Sequence, residues 1–249
     1  MEIFLHAETW VALLTLTFLE VVLGVDNIIF ISIVTNKLPK EQQSKARFTG
    51  LGLALIFRIG LLLGVTWIIT FTKPLFTVFD IDISGHDLIL LSGGLFLLFK
   101  STLEIHHKME GEEQHEDSTT SRSVLGTVIQ IILLDIIFSF DSILTAIGLT
   151  QEIILMIIAV IIAMGIMMVF SKKISDFISG HPTLEILALS FLILIGFMLM
   201  VEALHHHVPK GYIYFAVFFS LIVETLNMRI RKKNNPVKLR KRIKVSDQE

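Results

Sequence analysis

The sequence predicts an all-α polytopic membrane protein of about seven transmembrane helices, an inverted repeat of three plus three helices with an extra C-terminal helix. Three observations carry this. Of the 249 residues 53% are apolar and only 18% charged, with mean hydropathy +0.74, whereas an ordinary soluble domain is about 25% charged. Apolar runs long enough to cross a bilayer, about 18 residues or more, recur between short polar breaks. Finally, two acid-bearing stretches in the two halves of the chain echo one another inside runs that should be purely apolar.

In chain order the expected spans are about 9–34, 47–71, 87–105, 124–148, 152–171, 184–204 and 210–228. The N-terminus MEIFLHAETW has neither a positive n-region nor a small-residue cleavage site, so the first apolar helix is expected to act as its own targeting signal. Residues 1–228 then form a single transmembrane domain. Repeat one covers about 9–105, repeat two about 124–204 and the seventh helix about 210–228; a basic cytoplasmic tail, 229–249, follows. There is no cysteine, which excludes disulfides, thiolate metal sites and cysteine nucleophiles.

Lys and Arg in the short connections set the orientation. The first loop has Lys37, Lys40 and Lys45 with Arg47 at its edge, the third Lys108 and Arg122, the fifth Lys172 and Lys173. The second has only Lys73, the fourth none and the sixth only Lys210 at its border. The N-terminus is therefore expected outside and the C-terminus in the cytoplasm. Residues 229–249 carry nine basic and two acidic residues, +7, against −2 for the whole chain. Beside a membrane helix such a tail reads as a topology determinant or an anionic-lipid contact; no nucleic-acid partner is expected.

LEVVLGVDNI at 19–28 aligns without gaps to LDIIFSFDSI at 134–143. Glu20 meets Asp135, Asp26 meets Asp141 and Asn27 meets Ser142. A second echo pairs LLSGGLFLLFKSTLEIHH (90–107) with ALSFLILIGFMLMVEALH (188–205), matching Ser92 to Ser190, Phe99 to Phe197 and Glu104 to Glu202. Because three spans are odd in number, the halves cross the membrane in opposite senses, an arrangement whose sites lie near mid-membrane at the repeat interface.

Glu20, Gly24 and Asn27 share one helical face, as do Asp135, Ser139 and Ser142, with Asp26 and Asp141 beside them. Four ionised carboxylates in lipid would cost on the order of 10–14 kcal/mol by simple addition. They are tolerable if they face a polar cavity, are protonated or are neutralised. Oxygen ligands of this kind suit Mn²⁺, Ca²⁺ or Mg²⁺, and metal and protons compete for the same oxygens, a route to proton-coupled exchange. Arg58, equally deep, is the expected charge partner, and hydrogen bonding between helices by protonated acids is the plainer alternative. Lys100, Glu104, Glu202 and Glu224 are expected to snorkel near span ends. Gln130 and Asn227 are expected to bond between helices. The loop EIHHKMEGEEQHED (104–117) reads as solvated, with a metal-sensing role as the sharper alternative, and the run His205–His207 cannot share one helical face.

FLEVVLGVDNIIFISI (18–33), LLDIIFSFDSILTAIG (133–148) and HVPKGYIYFAVFFSLIVETLNMRIRKK (207–233) resemble the TerC family of integral membrane proteins, across essentially the whole chain. The family is named for tellurium resistance and includes bacterial manganese exporters. The resemblance implies a bacterial inner-membrane protein, not an enzyme, that needs no cofactor and moves a divalent cation, Mn²⁺ before Ca²⁺, out of the cytoplasm. Its metal site would be Glu20, Asp26, Asn27, Asp135, Asp141 and Ser142. An association with the secretion machinery is implied by the resemblance alone, and the lack of thiols speaks against direct tellurite chemistry. Two other classes stand beside this: a non-transporting membrane partner, and a membrane-embedded aspartyl hydrolase.

Overall fold

The computed structural model describes residues 6–78, 81–110, 123–150, 152–206 and 208–231; the side chains of Val25, Asp26, Val78, Ile81, Asp141, Lys210 and Arg231 also lie outside the described set. The helices are α1 (Ala7–Thr35), α2 (Lys40–Leu63), α3 (Val65–Phe71), α4 (Gly85–Glu110), α5 (Val124–Leu149), α6 (Ile153–Ser179), α7 (Pro182–Ala203) and α8 (Lys210–Arg231). A hairpin, β1 (Pro74–Val78) and β2 (Ile81–Ser84), separates α3 from α4. All but α3 are long and apolar enough to span a bilayer, at 20 to 29 residues, where about 20 suffice. Among the described residues this makes seven candidate spans.

Several boundaries differ from the sequence expectation: α2 begins at Lys40 rather than 47 and α4 runs to Glu110 rather than 105, and two further differences have a clear cause. The second span, expected at 47–71, breaks at Gly64, which leaves the helical ψ range (ψ 19°) and starts α3 afresh. Glycine is about 1 kcal/mol poorer than alanine in a helix interior, so the break falls where continuing gains least. The fifth span was expected to stop at 171, yet α6 runs to Ser179 and carries Lys172 and Lys173 on its surface. The hairpin was not anticipated; Pro74 opens it, where a missing N–H is tolerated, and Thr77 pairs with Asp82 across it. A capping box closes into α4: the Ser84 N–H donates to Asp87 Oδ2 at 2.8 Å and the Asp87 N–H to Ser84 Oγ at 3.2 Å.

Helix pairing carries the repeat into three dimensions. α1 packs on α6, α2 on α5, and α4 on α7. Exchanging the halves turns the first pair into the second and maps the third onto itself. α1 and α6 run parallel, with Gly24 against Met167 and the Asn36 side chain joining Ser175 (3.0 Å) and Ser179 (2.6 Å) at their ends. α2 and α5 are also parallel, Gly50 lying against Ile131.

α4 and α7 are antiparallel and touch backbone to backbone: a Cβ added to Gly94 would sit 2.5 Å from the Gly196 carbonyl oxygen, and one on Gly196 2.8 Å from that of Gly94. Small residues permit such approach between membrane helices. A polar pair ties each end, Asp87 with His205 at 3.2 Å and Glu185 with Lys108 at 2.6 Å. Asp87 and Glu185 correspond at the offset of the second echo, whereas His205 corresponds to His107 rather than to Lys108, so the two ties share their acids but not their partners. The same echo places Phe99 and Phe197 outward, both exposed, and turns Ser92 and Ser190 back onto their own helices.

Residues from Lys210 onward form a separate unit, of which α8 is the described part. Phe215 and Phe219 stack along it, ring centroids 6.2 Å apart.

Candidate metal centre

Asp135 on α5 and Glu20 on α1 enter the bundle where these helices cross antiparallel, facing Arg58 from α2. All three are buried, at 4%, 5% and 2% exposure. The guanidinium uses every edge: Nε donates to Ser139 Oγ at 2.8 Å, Nη2 to Asp135 Oδ1 at 3.1 Å, and Nη1 to Glu20. Ser139 donates in turn to Asp135 Oδ2 at 3.2 Å. A planar, always-charged fork meets two carboxylates in this way; a lysine ammonium could not.

Two neutral ligands complete the group. Asn27 Nδ2 donates to Asp135 Oδ1 at 3.3 Å, while Ser142, beside the Glu20 carboxylate, turns its hydroxyl onto its own helix at the Ser139 carbonyl (3.3 Å). The repeat equates Asn27 with Ser142 and Asp135 with Glu20, so each neutral residue stands by the acid of the other half and the pseudo-two-fold passes through the site. Among the described residues Asn27 Oδ1 is buried with no hydrogen-bond partner, in a place where such atoms are normally satisfied.

The expected site residues are thus largely brought together. Glu20, Asn27, Asp135 and Ser142 converge, with Arg58 as their charge partner and Ser139 as an added link. Asp26 and Asp141 lie on the same helices, but their side chains fall outside the described residues. Among the described residues no three His, Asp or Glu side chains form a ready metal cluster; Arg58 stands between the two carboxylates. Sequence reading missed Met167, which faces Gly24 as Arg58 faces Ser139. Gly24 and Ser139 are repeat equivalents, so Met167 is the uncharged counterpart of Arg58. An apolar residue in an apolar run gives no signal of such a role.

Elsewhere, Glu104 does more than snorkel: it pairs with Lys37. His205 takes a left-handed backbone (φ 61°) where α7 ends and turns to Asp87. Residues 111–117 of the acidic loop, His207 and the tail beyond Arg231 lie outside the described residues.

Six apolar helices in two oppositely oriented halves with a charge cluster buried between them, and a seventh apolar helix, define a multi-pass integral membrane protein consistent with a transporter. The sequence model described as the integral membrane protein TerC family matches residues 5–238. The chain belongs to that family. It is 54% identical over 230 residues to the UPF0053 inner membrane protein YgdQ of Escherichia coli K12, covering 92% of this chain and 96% of that one. A UPF0053 protein of Haemophilus influenzae is 52% identical over 226 residues, covering 90% and 95%. The inner membrane protein YoaE of Escherichia coli K12 is 46% identical over 233 residues, 93% of this chain but 45% of its own length. No solved structure matches the chain.

Proposed function

We propose that the chain exports divalent cations, Mn²⁺ foremost, from the cytoplasm of a bacterial cell in exchange for protons. One observation carries the reading: two buried carboxylates, each with a neutral amide or hydroxyl side chain beside it, lie related by two-fold pseudosymmetry in the interior of an inverted repeat. A hard divalent ion takes six to eight such oxygens, and Asp26 and Asp141 extend the set on the same two helices. Arg58 is then a tethered cation that keeps the site neutralised between cargo ions. Binding a metal requires the guanidinium to yield at least one carboxylate, and protons returning to the acids would release the metal again. Glu20 and Asp135 each engage Arg58 rather than each other, which speaks against a proton-sharing aspartyl dyad.

The test is purified protein in liposomes, with Mn²⁺, Ca²⁺ and Mg²⁺ offered under an imposed pH gradient. Wild type should move Mn²⁺ and dissipate the gradient, while Glu20→Gln, Asp135→Asn, Asp26→Asn and Asp141→Asn should fall to the rate of protein-free liposomes. If wild type itself moves no ion, the non-transporting partner reading takes its place.

A further inference from the structure

A second polar feature lies apart from the charge cluster and is unused by the transport reading. A cavity of about 270 Å³ opens between the last turns of α1 and α4 and the first turns of α5. Liquid water allots each molecule about 30 Å³, so the space suits something larger than one water or a bare ion.

Donors dominate its lining. Lys37 and Lys100 both reach it, with His107 nearby, and its one acid, Glu104, is already held by Lys37. Among the described residues no carboxylate lies within ion-pair distance of Lys100. Among the described residues the lining therefore carries net positive charge, which disfavours a divalent cation. Ser101 lines the cavity at 1% exposure, and its hydroxyl has no hydrogen-bond partner among the described residues. Thr127, 6% exposed, and Gln130 also make no side-chain hydrogen bond among the described residues. Gln130, expected to bridge helices, faces this space instead.

The cavity sits at the start of a 26-residue helix, whose N-terminal dipole favours negative charge, and beside the C-terminal end of α1, whose dipole opposes it, so the net attraction for an anion comes from Lys100. Ser123 caps that helix, accepting from the Leu125 N–H at 3.2 Å. Gly126 leaves the approach clear: a Cβ added there would meet nothing within 4 Å. We propose that this cavity binds a phosphate-class oxyanion, with Lys100 supplying the charge and Thr127 and Gln130 the neutral donors at the α5 N-terminus. The same chemistry is carried by inorganic phosphate and by the head group of an anionic lipid.

The experiment uses the full chain in nanodiscs, reading its thermal unfolding midpoint. In phosphatidylcholine discs at constant ionic strength, inorganic phosphate should raise the midpoint saturably. Lys100→Met and Thr127→Val should weaken the apparent affinity on the order of tenfold, and Lys173→Met, a lysine on α6 away from the cavity, should not. A rise produced by added phosphatidylglycerol but not by free phosphate, and lost in Lys100→Met, identifies the lipid head group as the source. The proposal is overturned if wild type and Lys100→Met respond alike in both arms, or if Mn²⁺ rather than phosphate gives the shift that Thr127→Val removes. No metal flux enters these readings, so they stand or fall independently of the transport assay.

Discussion

Arg58 holds Glu20, Asp135 and Ser139 from a single side chain. Removing it strands two carboxylates in a dry interior, and breaking a buried ion pair from one side costs about 3–5 kcal/mol. Arg58→Met should therefore lower the thermal unfolding midpoint of the purified protein strongly. Adding Glu20→Gln and Asp135→Asn to that variant should recover much of the loss; a triple variant no more stable than Arg58→Met would show that these charges are not coupled. Asn27→Ala deletes a hydrogen bond to a carboxylate, worth about 1.5–3 kcal/mol, while Ser142→Ala deletes one to a backbone carbonyl, worth about 0.5–1.5 kcal/mol. Measured by the same unfolding, the Asn27→Ala loss should be the larger. These polar residues were legible in the sequence because each is costly inside an apolar run. Met167 was not, since exchanging arginine for methionine erases the only mark the position would leave.

Close approaches distinguish the helix pairs. At Gly94 an added methyl meets the Gly196 backbone carbonyl, which cannot swing aside; at Gly24 it meets the end of the flexible Met167 side chain. Overpacking costs typically about 1–3 kcal/mol, so Gly94→Ala should lie at the upper end and Gly24→Ala at the lower, read as midpoints in one detergent. Gly60, with nothing within 4 Å of an added Cβ, should accept alanine and gain up to about 1 kcal/mol. Helix existence was readable because the apolar runs are long and their breaks polar. The α2–α3 break was hidden, since a single glycine also occurs inside intact membrane helices. The hairpin was hidden because four or five residues of strand give too short an alternation to stand out beside two spans. The end of α6 ran on because nothing before Gly180 stops a helix, and lysines on its last turns are compatible with snorkelling.

For the molecule as a whole, the lysine and arginine bias of the connections expects the β1–β2 hairpin outside and the start of α2 in the cytoplasm. The absence of cysteine makes this directly measurable. In intact cells a membrane-impermeant thiol reagent should label Thr77→Cys, and should reach Ser44→Cys only after the membrane is opened; the reverse pattern would invert the topology. The pairing of α1 with α6 and of α2 with α5 gives the two halves equivalent places in the packing. Were they also identical in shape and chemistry, swapping their roles would give two conformations of equal energy, one facing each side of the membrane. Arg58 against Met167 lifts that degeneracy in charge, while the α2–α3 break and the hairpin, present in the first half alone, lift it in shape. One half of the scaffold carries a fixed positive charge where the other carries an apolar side chain, an asymmetry that would give a transporter built on this plan a preferred resting side.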